Sequence, residues 1–313
     1  MMNDFEIPAR LIKGIVFLYG EDNAHSLLTA LPRRIRLYAR RWDLHLQGMA
    51  EGGAMSCCVF CTTPEGTPAV LKIPLDKAAG RSEIRQLERL HSTSAAPQVL
   101  RSATSSGVFL MSRILPGTTA WAASGSEDSQ KYGDLLRRLK CSAPSLGPRL
   151  RDMSQVARMR LDWARQHFAD GNYSGDLASI EKAEKVLDVL LRTTTTRDIL
   201  HADLQPKNVL QGPHGWYAID PLGAIGDFNA EAALWVAVQD GPATIEDRLV
   251  ELRDHELLDP DRLRAWTYVF AVAEFRPSMP PFAYRIEDFL RRANPDDVIG
   301  HVINPAPTAT CPA

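Results

Sequence analysis

One segment of the chain combines two carboxylates and an amide at a spacing that suits phosphate chemistry. The run "HADLQPKNVL" contains Asp203 and, five positions later, Asn208, and the following "YAID" ends in Asp220. Phosphoryl transfer from a nucleotide needs a carboxylate near the acceptor hydroxyl and oxygen ligands for Mg²⁺. We therefore predict that Asp203 accepts or orients the hydroxyl proton and that Asn208 and Asp220 bind Mg²⁺. The alternative is that these are surface-loop acids accompanied by a helix cap.

The same chemistry requires a cation on the phosphates, and the sequence offers one upstream. Lys72 stands among apolar residues in "PAVLKIP", a predicted strand, where an unpaired ammonium would cost several kcal/mol. Glu83 in the next predicted helix is the expected ion-pair partner, with Glu88 as the alternative. Gly53 and Ser56 in "EGGAMS" could let the backbone approach the phosphates, although a Gly pair between strands is also typical of a simple hairpin turn.

The elements that must position these groups change character near residue 113. Before it, a helical pattern over 7–41 and a helix from residue 79 accompany β-type runs at 43–47, 55–62, 68–73, 98–102 and 106–112. After it, helical patterns cover 128–140, 148–168, 178–192, 228–239, 243–254 and 260–275, with short strands near 208–211 and 216–219. We predict an α+β protein with a small, mostly antiparallel sheet lobe at 1–113 and a larger helical lobe at 114–313. The hairpin in the second lobe would bring Asn208 and Asp220 side by side.

Composition excludes several classes of partner. Lys and Arg number 36 against 38 Asp and Glu, so the net charge of −2 provides no basic field for nucleic acid. No apolar run of membrane-spanning length and no signal peptide is visible, which predicts a cytoplasmic protein without a membrane partner, expected as a monomer or weak dimer. Cys57, Cys58 and Cys61 lie in the strand-like "CCVFC" and are predicted to be buried thiols rather than a metal site.

These motifs together resemble the aminoglycoside phosphotransferase family, in particular its streptomycin 6-phosphotransferase and hydroxyurea phosphotransferase branch. The similar segments extend over most of the chain: "IPARLIKGIVFLYG", "GTPAVLKI", "FLMSRILPG", "LHADLQPKNVL", "WYAIDPLGAIGDFNAEAA" and "LRAWTYVFAVAEF". The resemblance implies a protein-kinase-like two-lobed fold, ATP or GTP as donor, Mg²⁺, and the hydroxyl of an antibiotic as acceptor. A streptomycin-like aminoglycoside is the expected acceptor, with hydroxyurea-like or other small hydroxyl compounds as alternatives.

Carried over by position, the resemblance implies a role for each motif. Asp203 becomes the catalytic base, Asn208 and Asp220 bind Mg²⁺, and Lys72 with Glu83 holds the phosphates. The adenine edge would meet the backbone of residues 111–113, and the ring would lie between side chains of both lobes. Met111 and Arg113 belong to that backbone segment, and Val70, Leu210 and Ile219 would enclose the ring, although each of these three could equally be ordinary core.

Three positions depart from the family pattern around this loop. Ala202 replaces a Gly, Gln205 replaces a second His, and Glu231 stands where relatives mostly carry an Asp that braces the loop. Since every primary catalytic group is present, we predict an active enzyme. The alternative is a kinase-like nucleotide-binding module that no longer transfers phosphate. His201 is expected to support the loop by packing rather than to act as an acid or base.

The acceptor site is expected in the helical lobe beside Asp203. A polycationic sugar would be bound by carboxylates and by aromatic faces. The candidates share helical positions in the second lobe, and the tryptophans among them could instead be core residues: Asp162, Trp163, Glu231, Trp235, Trp266 and Glu274.

Overall fold

The computed structural model describes residues 7–51, 56–122, 124–140, 150–170, 174–277 and 282–304. The chain divides into two compact units, Met1–Gly117 and Thr118–Ala313. The predicted lobe boundary after residue 113 falls shortly before this division. Among the described residues, no helix combines the length and apolar character needed to cross a membrane.

The first unit is an antiparallel sheet with two helices. Its strands have the spatial order β1-β2-β3-β5-β4, and every neighbouring pair is antiparallel. Long helix α1 precedes the sheet and α2 connects β3 to β4. The bounds are α1 Ala9–Trp42, β1 His45–Met49, β2 Ser56–Thr62, β3 Pro68–Pro74, α2 Lys77–His91, β4 Val99–Ala103 and β5 Val108–Ser112.

Burial in the first unit follows the period of each element. Strand β2 alternates strictly, so Cys57, Val59 and Cys61 enter the core with the buried face of α1. The predicted buried thiols are confirmed for Cys57 and Cys61, whereas Cys58 faces the other side and is half-buried. No group of three metal-binding side chains occurs in the described part of the chain. Asp76 precedes helix α2, and its carboxylate caps the helix by accepting from the Ala78 amide at 2.6 Å.

The second unit is mainly helical and carries two small sheets. Strands β6, β10 and β7 form a three-stranded sheet in that order, and β8 pairs with β9 as a hairpin. The bounds are α3 Asp128–Lys140, β6 Arg151–Asp152, α4 Met153–Asp170, α5 Ser174–Thr193, β7 Asp198–Leu200, β8 Val209–Gly212, β9 Gly215–Ala218, β10 Ala224–Gly226, α6 Phe228–Val238, α7 Ile245–Glu251, α8 Pro260–Glu274, α9 Phe282–Arg292 and α10 Pro295–Ile303.

Helix α6 forms the centre of this unit. All of its residues are buried, which is the pattern of a helix surrounded by protein on every side. Its N-cap Asp227 is also buried, and the carboxylate accepts from Arg262 Nε at 2.8 Å and from Trp266 Nε1 at 2.8 Å, both on α8. The start of α6 is thereby tied to α8 by hydrogen bonds to a charged group, which are stronger than neutral ones.

Several elements were not anticipated. Strands β6, β7 and β10 have two or three residues, too few to show a period of two, so none of the three was predicted. The helical patterns predicted for the second lobe end at residue 275, so α9 and α10 were not predicted. Most of the Pro-rich tail at 304–313 lies outside the described residues.

Candidate active site

The loop between β7 and β8 holds Asp203 in a closely braced backbone. Ala202 has a φ of 65°, a conformation that side-chain-bearing residues rarely adopt. Its amide donates to Glu231 Oε2 at 3.2 Å, and the Asp203 amide donates to His201 Nδ1 at 3.2 Å. His201 Nε2 lies 2.9 Å from the Ile219 carbonyl oxygen, so that nitrogen carries the proton. The geometry of His201 is that of a loop support.

Three donors hold the Asp203 carboxylate. Oδ1 accepts from Gln205 Nε2 at 2.6 Å and from Arg160 Nη2, and Oδ2 accepts from Asn208 Nδ2 at 2.8 Å. The Asp203 side chain remains 20% exposed. This carboxylate is therefore oriented by its neighbours and still accessible at one edge, which is what a group that meets an acceptor hydroxyl requires.

The β8–β9 hairpin brings the two predicted metal ligands to neighbouring strands. Val209 pairs with Ala218, and the Ile219 amide donates to the Asn208 carbonyl oxygen at 2.9 Å, which places Asp220 next along the chain. Asp220 is exposed and has a φ of 61°. Asn208 is buried, and its Nδ2 donates to Asp203, so its amide oxygen is the atom suited to a metal.

This donor set fits Mg²⁺. A carboxylate and an amide oxygen are hard ligands, and Mg²⁺ usually takes only one or two protein ligands and completes its shell with water and phosphate oxygens. Asn208 and Asp220 would hold the ion.

The first unit contains the predicted cation and its partner. Lys72 Nζ on β3 lies 2.6 Å from Glu83 Oε1 on α2, and the two side chains are only 4% and 8% exposed. Glu88, the alternative partner, is exposed. The predicted ion pair is thus present, and Glu83 is the residue that makes it. The ion pair with Glu83 orients the buried Lys72 ammonium.

The residues expected around the nucleotide have different environments. Val70 and Met111 face each other across β3 and β5, and both are buried. The Ser112 and Arg113 amides donate to the carbonyl oxygens of Gln98 and Pro68, at 2.9 and 3.0 Å. These two N–H groups are therefore engaged within the first unit, and any contact of residues 111–113 with an adenine edge is left to other backbone atoms of this segment.

The contacts of the remaining candidates for nucleotide binding do not distinguish a binding role from a structural one. Arg113 stacks its guanidinium on Phe60, with 3.9 Å to the ring centroid. Leu210 and Ile219 in the second unit are half-buried. Ser56 begins β2 opposite Pro74, whereas Gly53 lies outside the described residues.

Two tryptophans expected at the acceptor site are core residues. Trp235 is fully buried and stacks on Tyr132 with 4.1 Å between ring centroids. Trp266 is fully buried and donates to Asp227 at 2.8 Å. Neither ring presents a free face, which corrects the prediction for both, because helices α6 and α8 pack these faces inward. Glu231 is also buried, and its hydrogen bond to the Ala202 amide makes it a brace of the loop rather than an acceptor ligand.

Helix α4 and the end of α8 supply the other acceptor candidates. Asp162 is exposed and pairs with Arg165 at 2.9 Å, and Trp163 on the same helix is half exposed. Glu274, the last residue of α8, pairs with Arg160 at 2.5 Å. Glu274 is connected to Asp203 through Arg160.

Arg160 and Gln205 are the residues whose contacts were not anticipated. Both donate to Asp203 Oδ1, yet Arg160 lies on α4, far from the loop in sequence. An Arg in "ARMRLDW" carries no local signal that separates it from the other arginines of α4. Gln205 had been recognised only as a departure from a family pattern.

Comparison with known proteins identifies the family of the chain. Residues 41–274 match the model of the family described as aminoglycoside/hydroxyurea antibiotic resistance kinase. A streptomycin 6-kinase of Streptomyces glaucescens is 28% identical over 273 residues, covering 84% of this chain and 87% of its own. A hydroxyurea phosphotransferase of Kitasatospora aureofaciens is 27% identical over 288 residues, covering 84% of this chain and 77% of its own.

Solved structures confirm the predicted fold class. A choline/ethanolamine kinase family protein from Mesorhizobium loti superimposes with a TM-score of 0.58 at 13% identity, covering 83% of this chain and 92% of its own. Aminoglycoside phosphotransferase APH(4)-Ia gives a TM-score of 0.54 at 17% identity, covering 86% and 97%. The predicted α+β, kinase-like fold and the predicted branch are both confirmed. The chain belongs to the aminoglycoside/hydroxyurea antibiotic resistance kinase family, and it is a phosphotransferase.

Proposed function

We propose that this protein transfers the γ-phosphoryl group of ATP or GTP, with Mg²⁺, to a hydroxyl of an aminoglycoside-type antibiotic, and that the acceptor is streptomycin-like. The observation that carries the proposal is the Asp203 carboxylate, oriented by three donors and still partly exposed beside the hairpin that ends at Asp220. The streptomycin 6-kinases among its relatives support the choice of acceptor.

In the proposed step, Asp203 receives the acceptor's hydroxyl proton as the acceptor oxygen forms its bond to the γ-phosphorus. The bond from that phosphorus to the β,γ-bridging oxygen breaks, and this oxygen keeps the electron pair on the departing nucleoside diphosphate. Asn208 and Asp220 would hold Mg²⁺, which supplies positive charge to the phosphate oxygens when bound. Lys72, aimed by Glu83, would contact the α- and β-phosphates.

The departures from the family pattern are compatible with transfer. The Ala202 amide still finds a carboxylate in Glu231, and Gln205 donates directly to Asp203 at 2.6 Å. The loop is thus braced on both sides of Asp203, at Ala202 and at Gln205, which favours an active enzyme over a module that only binds nucleotide. A hydroxyurea-like acceptor is the second candidate, because a hydroxyurea phosphotransferase is among the relatives.

The direct test incubates the purified chain with Mg²⁺ and ATP or GTP together with streptomycin, hydroxyurea or an uncharged polyol. Mass spectrometry then detects the phosphorylated product. We expect streptomycin to be the best acceptor. If only hydroxyurea is phosphorylated, the proposed acceptor is wrong and the proposed phosphoryl transfer still holds. No product from any acceptor, with a clear Mg²⁺–nucleotide thermal shift, would favour the binding module.

The matched variant is Asp203→Asn, which keeps the size of the side chain but replaces one acceptor oxygen with an NH2 group and removes the base. We expect kcat to fall by about 10²–10⁴, the usual effect of losing a positioned base, while the Kd for nucleotide changes little. Wild-type kcat in Asp203→Asn would show that the proton goes elsewhere.

The donor side is tested separately with Lys72→Ala and Glu83→Ala. We expect Lys72→Ala to lower kcat/KM for the nucleotide strongly, and Glu83→Ala to do the same more weakly, because Glu83 acts by directing Lys72. Glu88→Ala, on the exposed side of the same helix, is the control and should match wild type. Full activity in both Lys72→Ala and Glu83→Ala would show that the phosphate-binding cation is another residue.

A further inference from the structure

Arg160 is a buried cation that joins the Asp203 carboxylate to a second acid. Its Nη2 donates to Asp203 Oδ1, and its Nη1 donates to Glu274 Oε1 at 2.5 Å. The Arg160 side chain is 6% exposed, whereas those of Asp203 and Glu274 are 20% and 19% exposed. The guanidinium therefore lies beneath the two carboxylates, and the carboxylates, rather than the arginine, meet solvent.

The energetics indicate that Arg160 depends on both acids. Burial lowers the pKa of an arginine, yet attraction to Glu274 and Asp203 outweighs it and raises the pKa of Arg160 above its ordinary value. A buried guanidinium that lost one carboxylate would carry an incompletely compensated charge. Within this triad, Arg160 is thus stabilised by Glu274 as well as by Asp203.

The contacts of Asp203 show what the arginine contributes. Asn208 holds Oδ2, and Arg160 and Gln205 hold Oδ1, so the plane of the carboxylate is defined from both sides. Gln205 is a neighbour on the same loop and moves with it. Arg160 comes from helix α4 and ties the carboxylate to the helical framework of the unit.

We propose that Arg160 is a positioning residue that fixes the Asp203 carboxylate for the acceptor hydroxyl, and that Glu274 acts on catalysis through Arg160 rather than by binding the acceptor. This inference rests on the proposed role of Asp203 as the base. It assigns to Glu274 a function different from the acceptor contact expected from its position in the sequence.

The test is a double-mutant cycle of Arg160→Met and Glu274→Gln, with Arg160→Lys as the conservative variant. Arg165→Met is the matched control, because Arg165 lies on the same helix and also bridges two carboxylates, Asp162 and Glu184, neither of which contacts Asp203. For each variant kcat, both KM values, thermal stability and the Mg²⁺–nucleotide thermal shift are measured.

We expect Arg160→Met to lower kcat by about 10- to 100-fold, the scale of a misplaced reacting group, with the nucleotide KM unchanged. Arg160→Lys should recover part of the loss, since an ammonium can still pair with the carboxylates. Glu274→Gln should lower kcat less, with the acceptor KM within about twofold of wild type. The double variant should be no slower than Arg160→Met, because residues that act as a unit are not additive. Arg165→Met should match wild type.

Two results would overturn the inference. One is a kcat for Arg160→Met within about threefold of wild type, in a variant that keeps the nucleotide thermal shift. The other is a loss of kcat in the double variant equal to the product of the two single losses, together with a raised acceptor KM in Glu274→Gln. This result would show that Glu274 binds the acceptor. If Arg160→Met does not fold, Arg160→Lys and Glu274→Gln are compared by the same criteria.

Hydrolysis of the nucleotide by water separates this inference from the choice of acceptor. If no antibiotic is phosphorylated but wild type hydrolyses nucleotide slowly and Arg160→Met hydrolyses it more slowly still, the acceptor is wrong and the positioning role stands. If all acceptors react equally in wild type and Arg160→Met, the positioning role is wrong and the kinase stands. Absence of any nucleotide turnover in wild type would overturn both.

Discussion

At the scale of single residues, the loop around Asp203 accepts an alanine where its conformation suits glycine. Ala202 has a φ of 65°, in the left-handed region where the Cβ atom is crowded. The Ala202 amide nevertheless makes its hydrogen bond to Glu231. The loop is therefore retained at the cost of local strain, which is offset by the braces from His201 and Glu231.

This strain predicts an unusual sign for a glycine substitution. Ala202→Gly should raise the free energy of unfolding by about 0.5–1 kcal/mol. Removing the Cβ atom relieves the strain of the left-handed backbone, and this gain exceeds the free-energy cost of the greater entropy of the unfolded chain. Ala178→Gly, at an exposed position inside α5, should lower it by about 1 kcal/mol. Urea denaturation of both variants measures the contrast. A loss of stability in Ala202→Gly equal to that in Ala178→Gly would show that position 202 is unstrained.

At the scale of elements, strand β2 places two thiols in the core of the first unit. Cys57 and Cys61 are fully buried, and burial raises the pKa of Cys57 to about 12 and that of Cys61 to about 11, from 9.0. Both thiols are protonated at neutral pH. The alternation of β2 therefore explains why the cysteine-rich run is a packing feature.

These raised pKa values predict a loss of stability at high pH. The unfolded thiols lose their protons near pH 9 and the folded ones only near 11 to 12, so their contribution is complete below pH 9 and falls as the pH rises above it. Each thiol should lower the free energy of unfolding by about 1.4 kcal/mol per pH unit in this window. Urea unfolding between pH 8.5 and 10.5 should show a shallower slope in Cys57→Ala than in wild type.

Val59→Ala is the control for the thiol prediction. Val59 lies between the two cysteines on the same buried face and does not titrate, so this variant should lose stability equally at every pH. Equal slopes in wild type, Cys57→Ala and Val59→Ala would show that Cys57 does not contribute to the pH dependence.

At the scale of the whole molecule, the groups proposed for catalysis are divided between the two units. The Lys72–Glu83 ion pair belongs to the first unit, and Asp203, Asn208 and Asp220 belong to the second. A ligand that binds only the folded chain stabilises it by mass action, by about 2.7 kcal/mol at one hundred times its Kd. Thermal stability in the presence of nucleotide is thus a test of the proposed donor and metal.

We expect Mg²⁺–ATP to raise the Tm by several degrees and EDTA to reduce this shift. Asp220→Ala should remove the Mg²⁺-dependent part, because it removes the carboxylate proposed to hold the ion, and should also abolish transfer. Asp254→Ala, at another exposed acidic position of the second unit, should behave as wild type. If Asp220→Ala keeps the full Mg²⁺-dependent rise in Tm, the metal is bound by other residues.

Local pattern was sufficient for much of this fold. The strands of the first unit and helices α3 to α8 lie close to the ranges predicted from periodicity, because an element with one buried face repeats its apolar residues at a characteristic spacing. The ion pair of Lys72 with Glu83 was predictable for a similar reason, since an ammonium inside an apolar strand needs an anion nearby.

The sequence by itself determined the family and the residues proposed for catalysis, because short motifs such as "HADLQPKNVL" bring their members together through one loop and one hairpin. Only the tertiary structure decided which distant side chains serve them. Trp235 and Trp266 turned out to be core, because α6 is enclosed on all sides, and Arg160 reached Asp203 from α4. Helical spacing shows which residues share a face, but packing of separate helices decides what that face contacts.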